Sequence, residues 1–376
     1  MVDPVRPVAA PIAIISFDRP DYLDRLCASL KAQTGVEVDE TRILLVQDGA
    51  KSLYSGIAYA DDAAIARTTD VFRAHFPNGQ VKASPHNLGI ARNIRRAERI
   101  VFDELEADVG YFFEDDLELG PRYLLVMEML REALAATGKP VAYFAAYGDH
   151  RIEADPARVR VIPIDHHWGF GLFRKAWRAI DAWMAPYYEV LGEGDYKFRN
   201  HLQIFEGLRE RRVAFDKSSQ DSMKALACGD LGLPRVMTDA CFARYIGKLG
   251  QSFDEKKFIE LAYDRTQLYA AEPINLIAPT AGQLQEIADR HFALYRDFKD
   301  KDYPGFIAEY RRTHLDPDHL LTAQDVHDLY RLLLGRDAEP SAIESAVGKH
   351  TFRSLRRTIL NSREFRGSTG LQLAGG

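Results

Sequence analysis

Glu114, Asp115 and Asp116 stand consecutively after an apolar aromatic run, in Tyr111-Phe112-Phe113-Glu114-Asp115-Asp116-Leu117-Glu118-Leu119. Hard divalent cations such as Mg²⁺ and Mn²⁺ prefer oxygen ligands and often take only one or two from a protein; phosphate oxygens and water complete the shell. Carboxylates delivered by a buried strand are therefore suited to holding a metal–diphosphate, with the metal neutralising charge on a departing diphosphate. The same triplet also reads as a solvated acidic turn, and taken alone it leaves both readings open.

The elements that would position these groups follow from hydrophobic periodicity. Apolar β-type runs occur at Pro11–Phe17, Ile43–Val46, Tyr111–Phe113 and Val141–Tyr147. Between the first two, Leu23, Leu26, Cys27 and Leu30 fall on one helical face; before the acidic triplet, Ile94, Ala97, Val101 and Leu105 do the same. Strands alternating with helices imply a mostly parallel sheet covered on both faces, which binds ligands beyond the carboxyl ends of its strands. Arg19 follows the first run and is placed to meet a phosphate, or is a surface arginine beside Pro20. Asp48 follows the second, where it can accept a hydrogen bond from a base or sugar, or form an Asp-Gly turn. The segment Pro85–Asn93 gives a turn, a glycine and a helix start, bringing His86, Asn87 and Asn93 toward the same edge, with His86 reading as structural.

The chain has 376 residues, a net charge of −6 and 46% hydrophobic residues, which fits a protein with a sizeable core and gives no electrostatic case for nucleic acid. No apolar run approaches the ~20 residues that cross a bilayer, and the N-terminus is a poor signal peptide, so a cytoplasmic protein is expected. Cys27, Cys228 and Cys241 lack metal-ligand spacing and read as reduced structural thiols.

Together these residues resemble the GT-A-fold glycosyltransferases, and within them the N-acetylglucosaminyltransferase I family. The carrying motif is FFEDDLELGPRYLLVMEML; IAIISFDRP, ILLVQDGA and GFGLFRKAW match the family's first two strands and its Gly-rich segment in style, and QDSMKALACGDLGLPRVMTDACFARYIGKLGQSF matches its acceptor half. The resemblance covers residues 10–255. It implies an inverting transfer of a sugar, N-acetylglucosamine from UDP-GlcNAc by family likeness, to a glycan or lipid-linked acceptor in bacterial surface polysaccharide synthesis, with Mn²⁺ or Mg²⁺ as cofactor. Carried over residue by residue, it implies Asp116 as the metal ligand, Glu114 and Asp115 around sugar and metal, Asp48 on the uracil ring, Arg19 on the diphosphate, Asn93 at the nucleotide and Asp221 as general base. Two departures stand out. The family's acidic residue before the base is here Gln220, and a longer insertion spans Met184–Ser219, which leaves Asp195 as a competing base. Asp221 also reads as a helix N-cap before an apolar-periodic run.

The expected organisation is an α/β GT-A domain over 1–255 (donor half 10–120, acceptor half 121–255), a helical segment over 256–318, a small helical unit over 319–367 and a disordered tail over 368–376. In the small unit Thr322 and Asp325 form a capping box, Val326, Leu329, Tyr330 and Leu333 an apolar face, and Gly335 a C-terminal stop. YRLLLGR and NSREF resemble a short helical domain of unknown function attached to bacterial cell-surface glycosyltransferases; Arg353, Arg356 and Arg357 would face outward, toward solvent or an anionic membrane. Two other classes share the sheet and the acidic residues. A sugar-phosphate nucleotidyltransferase would carry a Gly-rich loop after its first strand, where this chain has SFDRPDY. A non-catalytic nucleotide-sugar-binding protein would bind without turnover.

Overall fold

The computed structural model describes residues 5–164, 166–192, 194–248, 254–315 and 320–369. The fold is α/β, as expected: a large central sheet flanked by helices, followed by a helical C-terminal region. Its strands are β1 (Ile12–Ser16), β2 (Ile43–Gln47), β3 (Gln80–Ala83), β4 (Val109–Glu114), β6 (Tyr143–Ala145), β7 (Val161–Pro163), β8 (Phe170–Phe173) and β9 (Val236–Thr238); β5 (Leu117–Leu119) and β10 (Ala243–Tyr245) form a separate antiparallel pair. Among the described residues the sheet order is 3-2-1-4-8-6-9-7.

The first half of that sheet is parallel, because β1 pairs with β2 and β4, and β2 with β3, in the same direction. Every residue of β1 and β2 is buried, as a parallel strand covered on both faces requires. The second half is mixed: β8 runs antiparallel to both β4 and β6, while β9 is parallel to β6. The central strand β4 carries Tyr111, Phe112 and Phe113 at zero exposure. The Tyr111 hydroxyl donates to Glu128 Oε1 at 2.7 Å, and Glu128 also accepts from Arg131 Nε at 2.7 Å and Ala9 N at 3.1 Å. That buried charge is thus fully bonded.

Helix α1 (Pro20–Lys31) starts on a proline at its first turn and buries the expected face, Leu23, Leu26, Cys27 and Leu30. Helices α2 (Asp62–His75), α3 (Ile90–Arg99), α4 (Tyr123–Ala136), α5 (Arg174–Trp183) and α6 (Gln220–Leu231) complete the cover. Helices α7 (Ala281–Lys301) and α8 (Tyr303–Leu315) belong to the same core, into which Leu284, Ile287, Tyr295, Tyr303 and Ile307 pack. All three cysteines are buried and unpaired, and burial pushes each thiol up to about 12.

The C-terminal unit has its own core of Leu321, Val326, Leu329, Ala338, Ala346, Leu355 and Ile359. Helix α9 (Ala323–Leu334) opens with the Thr322–Asp325 capping box and closes on Gly335 at φ 68°. Helix α10 (Phe352–Leu360) turns Arg353, Arg356 and Arg357 to the exposed side. The unit clasps Phe198 of the main domain: Gln324 Nε2 and Arg331 Nη1 donate to its carbonyl at 3.2 and 3.3 Å, and the His327 ring lies 3.5 Å from the Phe198 ring. Residues 370–376 of the expected disordered tail lie outside the described residues.

Candidate active site

Strand β4 ends at Glu114, and the next two carboxylates lie where β1 and β4 finish side by side. Ser16, the last residue of β1, donates to Asp115 Oδ2 at 3.3 Å. Arg19, three residues further on, bridges Asp115 and Asp116, with its Nη2 3.1 Å from Asp116 Oδ2. Burial works against the Arg19 charge, but Asp115 and Asp116 outweigh it and hold the guanidinium above its ordinary value. One arginine faces several carboxyls, however, and burial pushes Asp115 up to about 6 in spite of it. Burial and the charges of Asp116 and Asp221 lift Glu114 well above the usual carboxylate range. Asp221, more than a hundred residues away in sequence, is thereby placed in the electrostatic field of the triplet.

Asp116 Oδ1 is buried and has no hydrogen-bond partner among the described residues. Over the same carboxylate passes Gly247, where a Cβ would lie 3.0 Å from Asp116 Oδ2 and 2.4 Å from the Tyr245 hydroxyl oxygen. A buried carboxylate oxygen with no donor is costly and calls for an ion or ligand to complete it. Among the described residues no group of three His, Cys, Asp or Glu side chains forms a metal cage. The donor set therefore fits a hard cation held mainly by Asp116, with substrate oxygens and water filling its shell, and does not fit a fully protein-ligated metal.

Asp221 is the second residue of α6 and is not its cap. That role falls to Ser219, whose hydroxyl accepts from Ser222 N at 3.3 Å. The N-cap reading of Asp221 is thereby corrected, and its carboxylate, with a side chain 49% exposed, is left for other work. His167, 3% exposed, stands behind it with Nδ1 3.7 Å from Asp221 Oδ1. Arg235 Nη1 lies 3.3 Å from His167 Nε2, and since arginine has only donors, Nε2 must accept and the ring proton sits on Nδ1, toward Asp221. Burial lowers His167 to about 4, so the ring is neutral at pH 7. The half of Asp221 that is buried raises it, but the neighbouring His167 and Lys224 outweigh that and leave it below its ordinary value. With its amide turned so that both ends are satisfied, Gln220 donates to Asp221 Oδ1 and accepts from Lys224 Nζ, each at 2.9 Å.

Asp48 adjoins the triplet through its N–H, which donates to Ser16 O at 3.0 Å, and the side chains of the other expected site residues are engaged by the protein itself. Asp48 is 4% exposed and accepts from Gly49 N (3.0 Å), Leu88 N (2.8 Å) and Gly89 N (3.0 Å), so it fastens the 86–89 loop to the end of β2. Burial pushes its carboxyl up to about 6 against those three donors. Asn93 is 1% exposed and is spent on Val46 O (3.0 Å) and Arg96 Nη1 (3.1 Å). His86 contributes its backbone to the turn, and Asn87 donates to Gly49 O at 3.0 Å. Asp195 belongs to another cluster: Ser52, Ser55 (2.5 Å) and Tyr59 (2.7 Å) donate to its carboxylate. Three hydroxyls make it a lock on the 52–59 loop.

Two positioning features had no expectation attached. Tyr196 lies over Gly89 and accepts from Gln220 N at 3.1 Å, joining the Asp48 loop to the start of α6. Gly89 has φ 74° and ψ 159°, a region open almost only to glycine, and a Cβ there would lie 2.7 Å from Tyr196 Cβ. Gly89→Ala is therefore expected to destabilise the fold by about 1–3 kcal/mol, read as a lower urea midpoint at unchanged slope. His167 is the second feature; the adjacent His166-His167-Trp168 was the available signal, but a histidine in an irregular aromatic segment carries no spacing that assigns it a partner.

No family model matches the chain, and no curated protein matches it. Among solved structures, the crystal structure of S. aureus TarS 1–349 is similar at TM-score 0.38 and 12% identity, covering 96% of this chain and 91% of that one. A crystal structure of S. aureus TarS is similar at TM-score 0.37 and 11% identity, covering 95% of this chain and 53% of that one. Similarity at that level carries no argument about this site, which rests on its own geometry.

Proposed function

We propose that the protein is an inverting, metal-dependent glycosyltransferase that transfers a sugar, N-acetylglucosamine from UDP-GlcNAc on the family resemblance, to a glycan or lipid-linked acceptor in bacterial surface polysaccharide synthesis. The observation that carries the reading is Asp116, with its unpartnered buried oxygen, at the carboxyl end of a parallel sheet and in a carboxylate cluster whose Glu114 feels the charge of Asp221, itself backed by a neutral histidine.

In this reading Asp221 accepts the proton of the acceptor hydroxyl as that oxygen bonds to the anomeric carbon, and the bond to the diphosphate breaks on the opposite face. Its lowered proton affinity keeps it ionised at neutral pH, the Gln220 amide holds the carboxylate by a hydrogen bond, and the His167 ring, 3.7 Å away, adds a favourable dipole. Arg19 supplies fixed positive charge beside the departing diphosphate. A divalent cation on Asp116 would supply Lewis-acid stabilisation of the same leaving group. Work in the cytoplasm, with the exposed arginines of α10 against an anionic bilayer where a lipid-linked acceptor sits, is part of the proposal.

The test is thermal unfolding with UDP-, GDP-, CMP- and dTDP-sugars, with and without Mn²⁺, on wild type and Asp116→Ala. A ligand at ~100 times its Kd stabilises by about 2.7 kcal/mol. The expected result is an Mn²⁺-dependent shift with UDP-GlcNAc that Asp116→Ala abolishes. A shift with another nucleotide replaces the donor, and no shift with any sugar nucleotide overturns the reading.

A further inference from the structure

A cavity of about 290 Å³ opens beside the carboxylates, lined by His150, His166, Trp168, Tyr245, Leu261 and Tyr263. Its wall is a column of parallel rings: His166 on Trp168 at 4.4 Å and 16°, and Trp168 on Tyr245 at 4.3 Å and 7°. Tyr263 meets Trp168 edge-on at 5.4 Å. One end of this column comes close to Asp116, and the other is the chain neighbour of the histidine beside Asp221. The Tyr245 hydroxyl and Asp116 Oδ2 converge on Gly247, and His166 adjoins His167, whose Nδ1 faces Asp221.

The lining decides the chemistry. Arg151 and Asp149 neutralise each other in a two-pronged pair at 2.7 and 2.9 Å. Lys257 is the remaining charged side chain of the lining. Rings with a hydroxyl, an indole N–H or an imidazole nitrogen at their edges present an apolar body with a polar tip. A sugar ring is built the same way, with C–H faces and a rim of hydroxyls. The volume stands at the lower end of the range for small-molecule sites, about 300 Å³, which suits one or two sugar rings.

We infer that this ring-walled cavity is the acceptor site and that it takes a pyranoside, packed against the rim of the Trp168, Tyr245 and Tyr263 ring cluster with one hydroxyl directed toward Asp221. The inference rests on the glycosyltransferase reading for the word acceptor; saccharide binding in the cavity does not.

Saturation-transfer NMR on the full chain tests it, with methyl N-acetyl-β-D-glucosaminide, methyl β-D-glucopyranoside and glycerol 3-phosphate as probes. Leu261 is 44% exposed at the cavity, so Leu261→Trp fills the space without disturbing the core. Tyr263→Ala removes a wall, and its melting temperature reports whether it folds. Saturation transfer to a glycoside in wild type, weakened at least about tenfold by Leu261→Trp, is the expected result. Three outcomes overturn the inference: neither glycoside binds, a glycoside binds equally well to Leu261→Trp, or glycerol 3-phosphate alone binds. The UDP-sugar melting shift of wild type is scored separately. A retained shift without glycoside binding sinks only the acceptor site, and glycoside binding without any shift sinks only the donor reading.

Discussion

Asp221→Asn is expected to lower the rate of sugar transfer by about 10²–10⁴-fold while the nucleotide-sugar melting shift is retained. The amide keeps the shape and the contacts to Gln220 and His167 but cannot take a proton from an attacking hydroxyl. Asp195→Asn is the control: its carboxylate holds three hydroxyls of the 52–59 loop, so the change falls on stability and not on the chemical step. A second reading of the same carboxylate comes from His167→Ala. Removing the Nδ1–H and the ring leaves burial unopposed on that side, so the Asp221 pKa rises and the acidic limb of the rate profile moves to higher pH. An unchanged limb, or an Asp221→Asn enzyme with full activity, would show that another group is the base.

The second large effect is structural. Lys224 and Glu98 form an ion pair with side chains only 1% and 2% exposed, tying α6 to α3 beneath the site. Taking one partner away leaves a buried, unpaired charge, so Lys224→Met is expected to cost about 3–5 kcal/mol by chemical denaturation. The double variant Lys224→Met with Glu98→Leu removes both charges and is expected to recover most of that loss, because two packed apolar groups replace the pair. If the single variant is as stable as wild type, the pair is not what holds the helices together.

The donor half of the fold was legible because its signals are local. β1, β2 and β4 are apolar runs that each end on a polar residue and α1 has one clean face, so parallel strands under helices followed directly. β8 was hidden within an aromatic segment for a physical reason. Gly171 lies in it because a Cβ there would lie 2.3 Å from the Phe144 ring, and a glycine inside a strand weakens the pattern that reveals strands. β3, Gln80–Ala83, is a half-exposed edge with no apolar run. At the site, the triplet announced itself through three adjacent carboxylates, whereas the contact of His167 with Asp221 spans distant segments. The difference between Asp221 and Asp195 was invisible to spacing as well. One carboxylate is answered by a neutral ring and an amide and the other by three hydroxyls, and only the folded chain sets those partners.

The clasp on Phe198 makes the C-terminal unit a splint. Two residues before Phe198, Tyr196 rests on Gly89 and caps the first amide of α6, so one short stretch of chain leans on the donor loop, the base helix and the appended unit together. A shortened chain that ends at α8 would leave the Phe198 carbonyl without Gln324 and Arg331 and its ring without His327. The loosened stretch is the one that sets the distance between the Asp48 loop and Asp221. An appendage with its own core, remote in sequence from every carboxylate of the site, thus sets how firmly the two walls of the cleft are spaced.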